Sequence, residues 1–245
     1  MSQNPYQTSV YPHTAHTAEF AQADERAIFV RKTYLHLLGA ILACIALDTI
    51  ILSVFDQQLE PLVHWVRSGW HWLAFLGAFM GVSYIADRWA HSNTSRQTQY
   101  LGLGLYVLAE AIILIPLLWI AEHYSNEGAI QTAGLVTAIV FGGLTVTVFV
   151  TKADFSFLRW ALVAGSFIAL ALIVVGITTG FNLGLWFSVA MVVLAAGMIL
   201  YNTSNVLHHY NTNQYVAASL ALFASIALLF WYCLLYTSPS PRDRG

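Results

Sequence analysis

Long apolar runs separated by short polar segments dominate the chain. A bilayer core about 30 Å thick needs roughly 20 apolar residues per helical crossing. Seven stretches meet that length, at about 34–55, 70–89, 100–121, 129–151, 157–179, 183–207 and 215–236. In hydrocarbon every backbone N–H and C=O needs an internal partner, and a helix supplies one for each. Runs of this length exclude the short alternating strands of an outer-membrane barrel. The pattern predicts an all-α polytopic membrane protein with seven transmembrane helices.

Composition strengthens that reading. Hydrophobic residues make up 58% of the 245 residues and charged ones only 9%, against about 25% charged in soluble domains. Twenty-two formal charges are too few to cover a chain of this size in water. A net charge of −2 offers no basic field for nucleic acid. Cys44 and Cys233 both lie in apolar runs, which argues against a disulfide framework or a zinc site.

The polar N-terminal stretch has no apolar core before Tyr34, so no cleavable signal is expected. Residues 1–26 are expected to form a disordered cytoplasmic tail and 27–236 the membrane domain. Residues 237–245 read as a non-native tail resembling translated adapter sequence. Lys and Arg in short loops set orientation. Arg26, Arg31, Lys32, Arg88, Arg96, Lys152 and Arg159 fall on one side and Arg67 on the other. The N-terminus is therefore predicted inside.

A charge at the bilayer centre costs about 2.5–3.5 kcal/mol on insertion scales, so ionisable groups there mark candidate sites. Glu110 lies near the middle of the third run, six residues before Pro116, and Asp48 in the outer half of the first. Glu110 is expected to be protonated or hydrogen-bonded inside the bundle, because hydrocarbon disfavours the charge. A proton- or cation-responsive role and a structural interhelical bond both fit it. Asn202 and Asn205 are i,i+3 neighbours near the inner end of the sixth run, which suits interhelical hydrogen bonding. His208 and His209 follow; adjacent positions diverge by about 100° on a helix, so they make a poor chelate and better interfacial titrating groups. Arg88 and Asp154 join them as candidates at the cytoplasmic end.

Gly77, Gly81, Gly102, Gly104 and the run Ala195-Ala196-Gly197 suggest close helix packing. Trp65, Trp70, Trp72, Trp89, Trp119 and Trp160 read as interfacial anchors. Lys32 and Lys152, the two lysines of the chain, sit at loop boundaries, which excludes a retinal Schiff base. Gly-x-Ser-x-Gly, His-Glu-x-x-His, P-loop and Gly-x-Gly-x-x-Gly elements are missing from the sequence. Enzymatic activity is not expected, and neither is a cofactor.

Three segments together carry a resemblance. Val30-Arg31-Lys32-Thr33-Tyr34 opens the first run. Thr151-Lys152-Ala153-Asp154-Phe155-Ser156-Phe157-Leu158 lies between the fourth and fifth. Tyr201-Asn202-Thr203-Ser204-Asn205-Val206-Leu207-His208 closes the sixth, followed by Tyr215 and the Leu220–Phe223 run. In this order they resemble the Bax-inhibitor family of seven-helix membrane proteins, the transmembrane Bax-inhibitor-motif or YccA-like group, over about residues 26–235. The resemblance implies six helices around a central seventh. It also implies either a pH-sensitive calcium leak or regulation of an FtsH-type AAA protease and of stress responses. The family's leak mechanism uses paired aspartates, at positions matched here by Asn202 and Ser225. An amide and a hydroxyl do not titrate, so the resemblance favours a protease regulator held in the bilayer. The alternative is a cation leak with a modified acidic site, in which Glu110 and Asp48 stand in for the missing pair and Ca2+ is the transported ion.

Overall fold

The computed structural model describes residues 17–18, 23–67, 70–92, 95–181 and 183–237. Most of the expected N-terminal tail and residues 238–245 of the expected non-native tail lie outside the described residues. Seven helices follow one another: α1 (Ala23–Val66), α2 (Trp70–Ala90), α3 (Arg96–Tyr124), α4 (Ala129–Thr151), α5 (Leu158–Thr179), α6 (Gly184–His208) and α7 (Tyr215–Thr237). The all-helical expectation holds. Six of the seven are long and apolar enough to cross a membrane. The exception is α2, whose 21 residues include Trp70, His71, Trp72 and Asp87.

The largest departure from the sequence boundaries is α1. It starts at Ala23, four residues inside the stretch expected to be tail, and continues unbroken through Pro61 to Val66. At 1.5 Å per residue its 44 residues span about 66 Å, well beyond the hydrocarbon thickness. Asp24 and Glu25 in the first turn and His64 in the last complement the helix dipole. Thr17 and Ala18 are placed as well. Ala18 is fully buried and donates its N–H to Tyr210 O at 2.9 Å, so this part of the expected tail is docked against the α6–α7 connection.

Local signals explain several helix ends. Ser95 caps α3 by accepting the Thr98 N–H at 3.1 Å. Gly180, at φ 71°, ends α5 in the left-handed conformation that glycine adopts without a Cβ penalty.

α7 packs against α1, α2, α3, α4 and α6, while α5 rests mainly on α6. Burial follows this arrangement. About two-thirds (67%) of the most apolar stretch of α3 is buried within the protein and 61% of that of α7, against 11–17% for α4, α5 and α6. The outer faces of those three carry exposed Val150, Phe167, Trp160 and Trp186, an arrangement suited to contact with acyl chains. The expected central seventh helix is present, and α3 shares its interior position.

Close packing is narrower than the glycine pattern suggests. A Cβ at Gly102 would lie 2.6 Å from both Ala86 O and Ala90 N, so glycine here lets the α2 and α3 backbones meet. Gly77, Gly81 and Gly104 have open space instead. Among the tryptophans, Trp160 is exposed as expected of an anchor, whereas Trp119 is 4% exposed and donates its indole N–H to Asp56 at 2.9 Å. Its burial makes Trp119 a core residue, with the indole N–H reaching out to a half-exposed Asp56. Cys44 and Cys233 are free and buried.

Candidate functional site

The polar candidates at membrane depth form two separate groups on different faces of α7. In the first, Asn202 of α6 donates its side-chain N–H to Ser225 Oγ at 2.8 Å and to Ala221 O at 3.3 Å. Ser225 donates its own hydroxyl hydrogen bond to Ala221 O at 2.9 Å. The two positions where the family resemblance places carboxylates are thus joined by a neutral, closed hydrogen-bond relay. Helical geometry puts Ser225 toward α6 and Phe223, about 200° away, toward α3, where its ring meets Tyr106 edge-on at 5.9 Å.

The second group lies on that α3 side. Asp48 of α1 and Glu110 of α3 are both 6% exposed and close enough to interact electrostatically. Glu110 stands beside the phenol of Tyr106, one turn earlier on α3. The Cys44 thiol points at Asp48 Oδ2 from 3.6 Å, while Asp48 Oδ1 is buried without a hydrogen-bond partner among the described residues. Neither carboxyl is in an ion pair with Lys, Arg or His among the described residues. The structure thus places Glu110 within electrostatic reach of Asp48, and among the described residues no hydrogen bond joins either acid to Asn202 or Ser225. Asp48 also lines a cavity of about 1140 Å³ between α1, α3, α4 and α7, which reaches the α3–α4 connection at Asn126–Gly128. No group of three or more His, Cys, Asp or Glu side chains poised for a metal stands together among the described residues.

At the opposite end, the Thr151–Leu158 segment is a tight turn tied to α6. Lys152 ends α4 in the left-handed conformation at φ 52°. Asp154 Oδ1 accepts the Ser156 N–H at 2.9 Å, an Asx turn that leads into α5. Ser204 of α6 accepts the Phe155 N–H at 2.9 Å and donates within 3.4 Å of Ala153 O and Asp154 Oδ1. The His209 ring lies 3.8 Å from Asp154 Oδ2. Burial alone would raise the Asp154 carboxyl, but the Ser156 N–H and hydroxyl and the nearby His209 and His208 outweigh it, holding it below the usual carboxylate range. His208 turns away to Ser204 O at 3.1 Å, so the two histidines diverge as expected. Arg88 lies over the Tyr84 ring, 5.6 Å from its centroid and one turn back on α2.

Two features were not singled out from sequence. Ser204 is the residue that locks the α4–α5 turn, and its place in Asn202-Thr203-Ser204-Asn205 carries no marker of that role. The other is a cationic and aromatic cluster around Tyr215. The Tyr215 hydroxyl meets Arg96 Nη1 at 2.6 Å and Tyr100 OH at 3.0 Å, and the Lys32 ammonium sits 5.4 Å from its ring centroid. The grouping of Arg31 and Lys32 with Tyr34 hinted at an interfacial cluster but not at its partners on α3 and α7.

Seven helices, the C-terminal one buried among five of the others and six of the seven apolar enough to span a bilayer, define a polytopic integral membrane protein. Residues 26–238 match the family described as Inhibitor of apoptosis-promoting Bax1, and the chain belongs to this Bax-inhibitor family. An uncharacterized Pseudomonas aeruginosa protein is 29% identical over 218 residues, covering 86% of this chain and 89% of that protein. Mouse Protein lifeguard 4 is 26% identical over 218 residues, 86% of this chain and 84% of its own length. The Escherichia coli K12 protein named Modulator of FtsH protease YccA is 33% identical over 108 residues, 44% of this chain and 49% of its own. No solved structure matches.

Proposed function

We propose that this protein is a non-enzymatic regulator of an FtsH-type AAA protease in a bacterial inner membrane, with the N-terminus of α1 on the cytoplasmic side. One observation carries the choice between regulator and leak: the Asn202–Ser225 pair is neutral and closed by hydrogen bonds at 2.8 and 2.9 Å. A proton-shared gate needs two coupled acids, and an amide with a hydroxyl has no proton to share near neutral pH. The similarity to a protein named as an FtsH modulator supplies the partner class. The Lys and Arg bias toward the α2–α3 and α4–α5 connections supports the orientation.

The test is reconstitution of the full chain with an FtsH-type protease in one bilayer. The chain should co-purify with the protease and change its rate of degrading a membrane substrate at least twofold. Absence of both effects overturns the reading. A protease that pulls on its substrates needs an unstructured end, and the N-terminal tail expected from sequence would supply one. Deletion of residues 2–16 leaves Ala18, which bonds Tyr210, in the chain and should weaken co-purification, whereas unchanged co-purification rules that segment out as the protease's grip.

The proximity of Asp48 and Glu110 favours a second reading, a slow cation leak with Ca2+ as the transported ion. Glu110→Gln should then abolish pH-dependent calcium flux in proteoliposomes, and a wild-type chain without flux across the neutral range ends that reading.

A further inference from the structure

The cavity between α1, α3, α4 and α7 has a composition that selects for one kind of ligand. Its volume of about 1140 Å³ is near the upper end for small-molecule sites. Its walls include Phe141, Phe223, Ile226 and Phe230, and no Lys or Arg is among the described residues lining it. Acidic groups sit along it instead, with Glu122 and Glu127 at the α3–α4 end and Asp56 and Asp48 on α1. Asp56 is already engaged by the Trp119 N–H at 2.9 Å and lies 3.5 Å from the His123 ring. Asp48 is different: it is 94% buried, and its Oδ1 has no partner.

A covered carboxyl oxygen without a partner is costly, and a cation held against the cavity face of Asp48 would offset that cost through space. With four acidic side chains along the cavity and no Lys or Arg among the described residues lining it, charge complementarity favours a cation. A bare metal ion fits poorly, because Ca2+ takes 6–8 oxygen ligands at about 2.3–2.6 Å and no three candidate ligands cluster among the described residues. An organic cation fits both halves of the site. Its charge can be met by one carboxylate and by aromatic faces, and its apolar body by the remaining wall.

We propose that this cavity binds a hydrophobic organic cation, a quaternary ammonium or phosphonium centre on an apolar body, with the charge beside Asp48 and the body against Phe141, Phe223 and Phe230. The proposal is independent of the protease reading and of ion conduction.

The experiment uses the full chain in nanodiscs of zwitterionic lipid and measures equilibrium binding of radiolabelled tetraphenylphosphonium. Saturable binding at one site per chain is expected. Asp48→Asn should weaken it at least tenfold. Gly134→Phe should abolish it, because Gly134 lines the cavity and its Cβ direction is open, so the new ring enters the cavity without a backbone clash. Thermal unfolding of both variants verifies that they fold. A competition series on the wild-type chain needs no variant: unlabelled phosphonium should displace the probe at least tenfold better than neutral triphenylphosphine oxide, and calcium should not displace it. Absence of saturable binding, or equal affinity in Asp48→Asn, overturns the proposal. So does equal competition by the neutral compound, which would mark the cavity as an acyl-chain groove, or displacement by calcium, which would mark a metal site.

Discussion

Asn202 with Ser225, and Asp48 with Glu110, are polar pairs at the same kind of depth, on opposite sides of α7, yet they are built in opposite ways. The first spends every donor on a nearby acceptor and lies between tightly packed α6 and α7. The second leaves a covered carboxyl oxygen of Asp48, a residue that lines a cavity, without a hydrogen-bond partner among the described residues. In hydrocarbon, a closed neutral relay ties two helices together, whereas an open acid is retained at a cost in stability. The pair at the positions matched to the family's aspartates is thus neutral and closed, whereas Asp48 and Glu110 keep their carboxyls buried without an ion pair among the described residues.

The largest expected effect comes from reversing that assignment. Asn202→Asp combined with Ser225→Asp places two carboxyls where the present atoms are 2.8 Å apart. They cannot both ionise in the folded chain but can when it unfolds, so stability must fall as pH rises through the neutral range. Thermal unfolding of the double variant in detergent should show a melting temperature that drops more steeply with increasing pH than that of the wild type. A flat profile in the variant would mean that the Asn202–Ser225 site is open to water.

A smaller and more direct contrast uses apolar replacements. Asn202→Leu removes two interhelical hydrogen bonds and should cost about 1–2 kcal/mol. Asp48→Leu removes a buried group with an unsatisfied oxygen and should be neutral or stabilising. Melting temperatures of the two variants should therefore move apart. A loss at Asp48 as large as that at Asn202 would erase the distinction.

The smallest effect tests the exposed end of the molecule. Asp154 is held below its ordinary range, so the stability it contributes is complete above the unfolded carboxylate pKa of about 3.9 and is lost as pH falls through the lower folded value. Asp154→Asn should flatten the acid limb of the stability profile by less than about 1 kcal/mol, since the side chain is half exposed. An unchanged acid limb would show that Ser204, rather than the acid, fixes the turn.

Hydropathy revealed the seven helices because hydrocarbon enforces length and apolarity without regard to neighbours. It placed α2 with the rest, although Trp70, His71 and Asp87 dilute that helix. It also ended α1 too early at both sides: residues 23–33 and 56–66 are polar enough to look like loops yet continue the helix. The Asn202–Ser225 contact was legible as matched family positions, and Asp48 and Glu110 as isolated charges. Their meeting was not, because α1 and α3 are paired by tertiary packing across about 60 residues of chain. Spacing also overstated the role of glycine: Gly77 and Gly81 satisfy the small-xxx-small pattern, but only the structure shows that Gly102 is where the backbones touch. The Thr151–Leu158 motif marked a functional stretch from sequence, and Ser204 explains its shape, being the anchor that the turn closes upon.

The enclosed position of α7 has a consequence for how the molecule comes together. Translation delivers this helix after the other six, yet five of them surround it in the finished bundle. The earlier helices must enter the bilayer as an incomplete ring whose inner faces stay in contact with lipid until the final segment arrives and displaces it. Assembly therefore ends with the insertion of a keystone, and a ribosome stalled before residue 215 would leave a half-built ring with its seat vacant.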